Sequence, residues 1–137
     1  MADFTVKRID DMEGAYGGAF KRARAELGVS SFGMAIIDMP PNFEHYPTHD
    51  HARDGQEEVF LTLRGGGEID IAGERHPLDE EHVVRVAAGT DRKVLPGPDG
   101  IRVLVLGAKP GALYEPPAGS HLGAADPMPI AAAQPQQ

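Results

Sequence analysis

Residues 49–65, HDHARDGQEEVFLTLRG, join a pair of histidines to an apolar strand that ends in glycine. His49 and His51 are two positions apart, and on an extended segment such side chains point to the same side. Glu58 opens the strand that follows and can bring a carboxylate to the same point. Two imidazoles and one carboxylate on one side of a cation suit Fe(II), while Mn, Ni, Zn and Cu are also open. The stretch therefore predicts a metal site built on β-structure.

The histidine pair is weak support for a metal when it is taken alone. The chain has six histidines, so two of them can stand two apart by chance. The alternative is a pair of solvated loop histidines beside Asp50. The context favours the metal site, because Glu58 follows on an apolar strand and a predicted hairpin comes next.

Composition limits the chemistry that the chain can carry. Its 137 residues are expected to form one domain with a core of its own. There is no cysteine, so thiolate sites are excluded and any metal must be held by histidine and carboxylate. The net charge of -8 disfavours nucleic acid as a partner, because such a surface repels phosphate. Neither a leader pattern nor an apolar run of about 18 residues is seen, so we expect a cytoplasmic protein without a membrane segment.

The spacing of glycine and proline predicts an all-β fold. Seventeen glycines and 12 prolines interrupt the chain about every 8–12 residues, which is typical of a sandwich or barrel. Predicted turns lie at 65–67 and 96–100, and Ala72-Gly73 closes a hairpin. The predicted strands cover residues 32–39, 57–64, 68–72, 74–78, 82–86, 92–95 and 101–106, with a short extended piece at 42–46.

One helix is predicted ahead of the strands, at residues 11–27 with Gly28 past its end. We expect its regular part to begin near Ala19, because three glycines weaken the first half. Residues 1–30 are then an N-terminal extension whose helix packs on a barrel formed by residues 31–114. Residues 115–137, rich in Ala, Pro and Gln, have little to bury and are expected to be disordered or loosely draped.

The order of these features resembles the cupins, small β-barrels with two sequence motifs separated by a hairpin. The first cupin motif is HxH, a few residues, Glu, six residues and Gly. Here it reads His49-x-His51, six residues, Glu58, six residues, Gly65. The gap before Glu58 is longer than usual, so residues 52–55 are expected to form a longer turn. Glu57 would shorten the gap but would break the distance to Gly65. The resemblance covers roughly residues 32–107, and GQEEVF at 55–60 is typical of small bacterial cupins.

The second cupin motif is PxG, two residues and a histidine that serves as the fourth metal ligand. Residues 87–92 read AAGTDR, so Arg92 stands in place of that histidine. Arginine is a poor metal ligand, because its guanidinium stays protonated. In one interpretation His49, His51 and Glu58 hold the metal, and Arg92 binds an anionic group in the pocket. In the other, Arg92 has replaced the metal and pairs with Glu58.

Three further residues are candidates for the site. His45 lies four positions before His49 and could be a ligand, although Pro47 intervenes. His82 begins a strand and could also be a ligand, although a surface position is the alternative. Tyr46 could be a pocket acid or hydrogen-bond donor, or simply an aromatic residue at the rim.

The resemblance implies a double-stranded β-helix, or jelly-roll, with the site in the mouth of the barrel. It also implies a homodimer and a small-molecule ligand or substrate. Our leading hypothesis is a metal-dependent enzyme, such as a dioxygenase-like oxidoreductase, with Tyr46 and Arg92 as catalytic residues. The alternatives are a metal-free binding module and a metal-free isomerase or cyclase in which His49 or His51 is the general base.

Overall fold

Strands make up most of the regular structure in residues 2–127, the part of the chain described by this computed structural model. The one α-helix, α1, covers Ala23–Leu27, and short 3-10 turns lie at Ile9–Asp11 and Tyr16–Gly18. The strands are β1 (Gly14–Ala15), β2 (Phe20–Lys21), β3 (Gly33–Met39), β4 (Glu57–Ile71), β5 (Glu74–Asp79), β6 (Val83–Val86) and β7 (Arg92–Ala108).

The seven strands form one antiparallel sheet in the order β1-β2-β3-β7-β4-β5, with β6 paired to β4. β4 and β7 pair along most of their length, and β4 takes β6 beside its first half and β5 beside its second. Phe60 and Ile69, from the two halves of β4, are fully buried in one cluster with Val94 and Val103 of β7. The sheet must therefore fold back on itself around this cluster. This confirms the predicted all-β jelly-roll barrel with one short N-terminal helix.

We predicted that this strand ends at its glycines. Instead, β4 continues through them to Ile71. Its register with β7 shifts between Thr62 and Arg64 and between Gly65 and Gly67. Gly65 has a φ of +77°, and a Cβ there would lie 2.2 Å from the carbonyl oxygen of Gly100. The glycines therefore bend the strand where it passes close to β7, rather than stopping it. The predicted turn at 96–100 likewise lies inside the continuous strand β7.

The helix predicted at residues 11–27 was wrong in its extent, because α-helix in this segment is confined to Ala23–Leu27. Gly14–Ala15 and Phe20–Lys21 instead pair with each other, and Phe20–Lys21 pairs with β3. Pairing at the sheet edge outweighs a helix propensity that the glycines had already weakened. α1 contributes Ala23 to a small apolar cluster with residues of β3 and β7.

The remaining elements lie close to their predicted positions. The hairpin at Ala72-Gly73 joins β4 to β5 as predicted, whereas residues 42–46 are irregular. Residues 109–127 have no helix or strand, and Arg22 donates to the carbonyl oxygens of Gly119 at 3.1 Å and Ala125 at 3.4 Å. Residues 128–137 of the predicted tail lie outside the described residues. No helix within residues 2–127 is long and apolar enough to cross a membrane.

Candidate metal centre and ligand cavity

The histidine segment is held in extended form by the second motif. The backbone N–H of His49 donates to the Arg92 carbonyl at 3.0 Å, and the Arg92 N–H donates back at 2.8 Å. The N–H of His51 donates to the carbonyl of Ala88 at 2.7 Å. The two rings consequently lie side by side, with centroids 5.2 Å apart. The predicted common direction of His49 and His51 is found.

Glu58, at the start of β4, completes a three-residue cluster. One ligand atom each from His49, His51 and Glu58 lies within 4.8 Å of the others, and no second group of this kind occurs in residues 2–127. His51 Nε2 is 3.2 Å from Glu58 Oε2. The structure thus brings together the three residues predicted as metal ligands. We call this set the triad.

His45 and His82, the alternative ligands, lie elsewhere. The ring of His45 is exposed and stands edge-on to Phe43, with centroids 5.5 Å apart. His82 is on the surface, where its Nδ1 lies 2.7 Å from a carboxylate oxygen of Asp79. Neither histidine belongs to the His49, His51 and Glu58 group.

The outward nitrogen of each triad histidine already has a partner. His49 Nδ1 lies 3.1 Å from the carbonyl oxygen of Pro47, and His51 Nδ1 lies 3.1 Å from Asp54 Oδ2. Such contacts fix the ring and leave Nε2 as the nitrogen available to a metal. Two oriented imidazoles and a carboxylate fit a divalent first-row metal, because each donor is of a type that these ions accept.

Asp54 is a site residue that the sequence analysis missed. It lies on the turn Ala52–Gly55, which is the longer turn predicted between His51 and Glu58. Its Oδ1 also accepts from the backbone N–H of Gln56 at 3.1 Å, so the carboxylate is itself held in place. The unusual length of the gap was the available signal, because the added residues supply this carboxylate.

The pKa values of the two triad histidines are shifted in opposite directions. Burial lowers the pKa of His49 and keeps its ring neutral at pH 7. The hydrogen bond to Glu58 raises the pKa of His51, and Asp54 adds to this effect against the opposing effect of burial. A metal at the triad therefore competes with a proton for His51.

Arg92 lies behind the triad, with a fully buried side chain. Its Nη1 donates to Glu58 Oε1 at 2.9 Å, and its Nη2 donates to the Ala87 carbonyl at 2.5 Å. The structure therefore places Arg92 in the ion pair with Glu58, as the second interpretation requires, and not among the residues that line the cavity. Glu58 Oε2 remains directed at His51, so the pair does not take the glutamate out of the triad.

Tyr46 stands beside the triad on the cavity wall. Its ring is half-buried and lies 5.6 Å from the ring of His49, centroid to centroid. Burial and the negative charge of Glu58 raise the pKa of Tyr46, so the phenol keeps its proton at neutral pH. Tyr46 can therefore donate a hydrogen bond into the cavity.

A cavity of about 940 Å³ opens in front of the triad. It extends across the inner face of β3 to the N-terminal segment, and residues 117–127 form part of its wall. Its volume lies in the range of sites for small organic molecules. Most of the lining is apolar and includes Ala15, Phe20, Met34, Ile37, Phe43 and Val105.

Fold and site together define a small jelly-roll barrel with a His-His-Glu cluster in an internal cavity. No protein-family model matches the chain, and no curated protein matches it. Solved structures do match. A cupin protein from Bacteroides fragilis has a TM-score of 0.67 and 21% identity, covering 85% of this chain and 93% of that one.

Two further structures agree with this match. A protein from Photorhabdus luminescens has a TM-score of 0.60 and 17% identity over 80% of this chain and 90% of its own. An RmlC-like cupin from Desulfovibrio desulfuricans has a TM-score of 0.51 and 22% identity over 58% and 73%. At these identities the likeness is one of fold, and the chain has the cupin fold.

Proposed function

We propose that this cupin is a metal-dependent enzyme that binds a divalent metal at His49, His51 and Glu58. Fe, Mn, Ni, Zn and Cu are the candidate metals, and a small organic molecule in the cavity is the substrate. The reaction that we favour is that of a dioxygenase-like oxidoreductase. The observation that carries the proposal is the convergence of three donors within 4.8 Å, with the second nitrogen of each histidine already engaged.

The chain's own groups have separate roles in this proposal. The metal, when bound, would supply Lewis-acid or redox chemistry and open positions for substrate. Tyr46 donates a hydrogen bond or a proton to substrate from the cavity wall. Arg92 acts through Glu58, because its guanidinium fixes Oε1 and keeps Oε2 turned to His51. We therefore propose Tyr46 as a catalytic residue and Arg92 as a positioning residue.

One observation favours a second function without a metal. The Arg92–Glu58 and Glu58–His51 contacts already satisfy the carboxylate, so the triad is stable as a hydrogen-bonded chain. The cavity would then serve a ligand-binding module, or an isomerase or cyclase that uses His49 as a general base. A cytoplasmic homodimer remains our proposal for either function.

Metal titration distinguishes the two functions. Chelator-treated protein is mixed with Mn²⁺, Fe²⁺ under argon, Ni²⁺, Zn²⁺ or Cu²⁺, and thermal unfolding is followed. We expect at least one ion to raise the midpoint of the wild type but not of His49→Ala, because binding to the native state stabilises it. The loaded protein is then tested for oxygen uptake with small organic acids. No stabilisation by any ion would contradict the metal function and favour the second.

A further inference from the structure

Arg24 is the cavity-lining cation without a carboxylate partner. Two arginines line the cavity, and Arg22 is paired with Glu13. Arg24 has no carboxylate oxygen within 4.0 Å among residues 2–127, and its Nη1 donates to the Val29 carbonyl at 2.9 Å. Its Nε is buried and has no hydrogen-bond partner in the same part of the chain. The Arg24 guanidinium therefore leaves an unpaired positive charge on the cavity wall, which favours an anionic group in the cavity.

Tyr114 lines the same cavity as Arg24. Burial raises the pKa of Tyr114, the positive charge of Arg24 opposes this effect, and the negative charge of Asp54, also on the cavity wall, adds to it. The phenol therefore keeps its proton at neutral pH and can donate a hydrogen bond. A guanidinium and a phenol together form a suitable pair of donors for a carboxylate.

Two glycines, Gly33 and Gly107, form a row on the sheet that leads from Tyr114 to Glu58 of the triad. Gly33 pairs with Gly107 across β3 and β7, and Gly107 pairs with Glu58 across β7 and β4. Directly paired residues of antiparallel strands project to the same face, so all three lie on the inner face. A methyl group on Gly33 would lie 3.1 Å from Tyr114 Oη, and one on Gly107 would lie 2.5 Å from Gln56 Oε1 and 3.6 Å from Glu58 Cγ.

The row sets the length of a ligand that could span the cavity. Two strand spacings separate Glu58 from Gly33, which amounts to about 10 Å. The two glycines leave the floor free of their own side chains, although the amide of Gln56 lies over Gly107. The walls between the two ends are mainly apolar. A ligand that fits this space has an apolar body and one charged end.

We propose that the cavity binds a carboxylate with an apolar body, and that Arg24 and Tyr114 hold the carboxylate on the far side of Gly107 from Glu58. This inference rests on the proposed function, because it assigns the substrate class of the same cavity. Arg24 thereby takes the anion-binding role that the sequence had suggested for Arg92. The body of the ligand extends toward the triad, where Tyr46 and the histidines meet its other end.

The test uses octanoate as the probe and octanamide as its neutral counterpart, with dissociation constants from calorimetry. Arg24→Gln should weaken octanoate binding by about 10- to 100-fold, because it removes a charged hydrogen-bond donor. Tyr114→Phe should weaken it by about threefold to tenfold. Octanamide binding should change little in either variant. Arg75→Gln, which removes an exposed positive charge, is the matched control.

Two results would overturn the inference. One is equal octanoate affinity in the wild type and folded Arg24→Gln, and the other is no binding of hexanoate, octanoate or decanoate to the wild type. Should Arg24→Gln fail to fold, Arg24→Lys keeps the charge but loses the planar fork and should still bind less tightly.

The experiment distinguishes a failure of the proposed metal function from a failure of this inference. Octanoate binding that depends on Arg24 in a protein that takes up no metal would sustain the inference alone. Octanoate binding that depends on His51 and on added Zn²⁺, but not on Arg24, would sustain the metal site alone.

Discussion

Arg92 and Glu58 form a buried ion pair that uses one oxygen of the glutamate. Arg92 Nη1 lies 2.9 Å from Glu58 Oε1, whereas Oε2 lies 3.2 Å from His51 Nε2. Arg92, at the sequence position of the fourth cupin ligand, thus orients Glu58 within the triad and does not draw it away from His51. Breaking a buried pair by removing one partner costs about 3–5 kcal/mol of folding stability. Variants that remove only Arg92 or only Glu58 must therefore be checked for folding.

Arg92→His tests whether the arginine occupies the place of a fourth ligand. We expect Zn²⁺ affinity to rise by about tenfold or more, equal to about 1.4 kcal/mol, because a third imidazole, as the fourth ligand, replaces a positive charge. Affinity is measured by competition with a chromophoric chelator. Arg85→His is the control, because Arg85 is exposed and pairs with Glu57 at 2.6 Å. Unchanged affinity in folded Arg92→His would show that position 92 does not reach the metal.

Asp54→Asn tests the orienting contact on His51. The substitution should lower metal affinity by about 10- to 100-fold, because carboxylates behind a ligating histidine raise its basicity and fix its ring. Asp50→Asn is the matched control, since Asp50 is exposed and its carboxylate accepts from the Ala52 N–H at 3.0 Å. Equal metal affinity in the two variants would show that Asp54 does not contribute to metal binding.

Gly65→Ala tests the bend in β4. Both Gly65 and Gly73 have positive φ, so alanine at either should cost about 1–2 kcal/mol from backbone strain. Only at Gly65 does a Cβ meet backbone, 2.2 Å from the Gly100 oxygen, while nothing lies within 4 Å of it at Gly73. Gly65→Ala should therefore lose about 1–3 kcal/mol more than Gly73→Ala in urea unfolding. A similar loss in both would argue against the close approach of β4 and β7.

Asp38 should make folding stability depend on pH in acid. Burial opposes ionisation, but hydrogen bonds from Arg102 and Lys21 outweigh it and lower the pKa of Asp38 below its ordinary 3.8. A carboxyl whose pKa is lower in the folded state stabilises fully above its unfolded pKa, and the effect is lost as the pH falls through its folded pKa.

The melting temperature of Asp38→Asn should accordingly lie below that of the wild type at pH 7. The two curves should converge between about pH 5 and pH 2. Asp99→Asn, at an exposed position, should follow the wild type throughout. A difference between Asp38→Asn and the wild type that persists undiminished at low pH would refute the electrostatic explanation.

The resemblance of the two motifs to those of cupins implied the jelly-roll barrel, and local pattern predicted the triad. His49 and His51 are two apart on an extended segment, and Glu58 opens a strand with a clear apolar run. The hairpin at Ala72-Gly73 has the same local character. The continuation of β4 through Gly65 was not predictable, because glycine occurs both in turns that end a strand and in bends within a strand.

The helix and the cavity wall depend on contacts between distant parts of the chain. Phe20 and Lys21 become strand because β3 offers a partner, which the local sequence of the segment does not reveal. Arg24 and Tyr114 are brought to the wall of one cavity from distant parts of the chain. Their joint role therefore appears only once the fold is known.

The metal content of the protein, purified without chelator and measured by elemental analysis, tests the central claim most directly. We predict near-stoichiometric Fe, Mn, Ni, Zn or Cu in the wild type and its loss in His51→Ala. His76→Ala, which removes an exposed histidine paired with Glu74, should keep the metal. A wild-type protein without metal, or one whose metal is unchanged in His51→Ala, would contradict the claim that the triad is a metal centre.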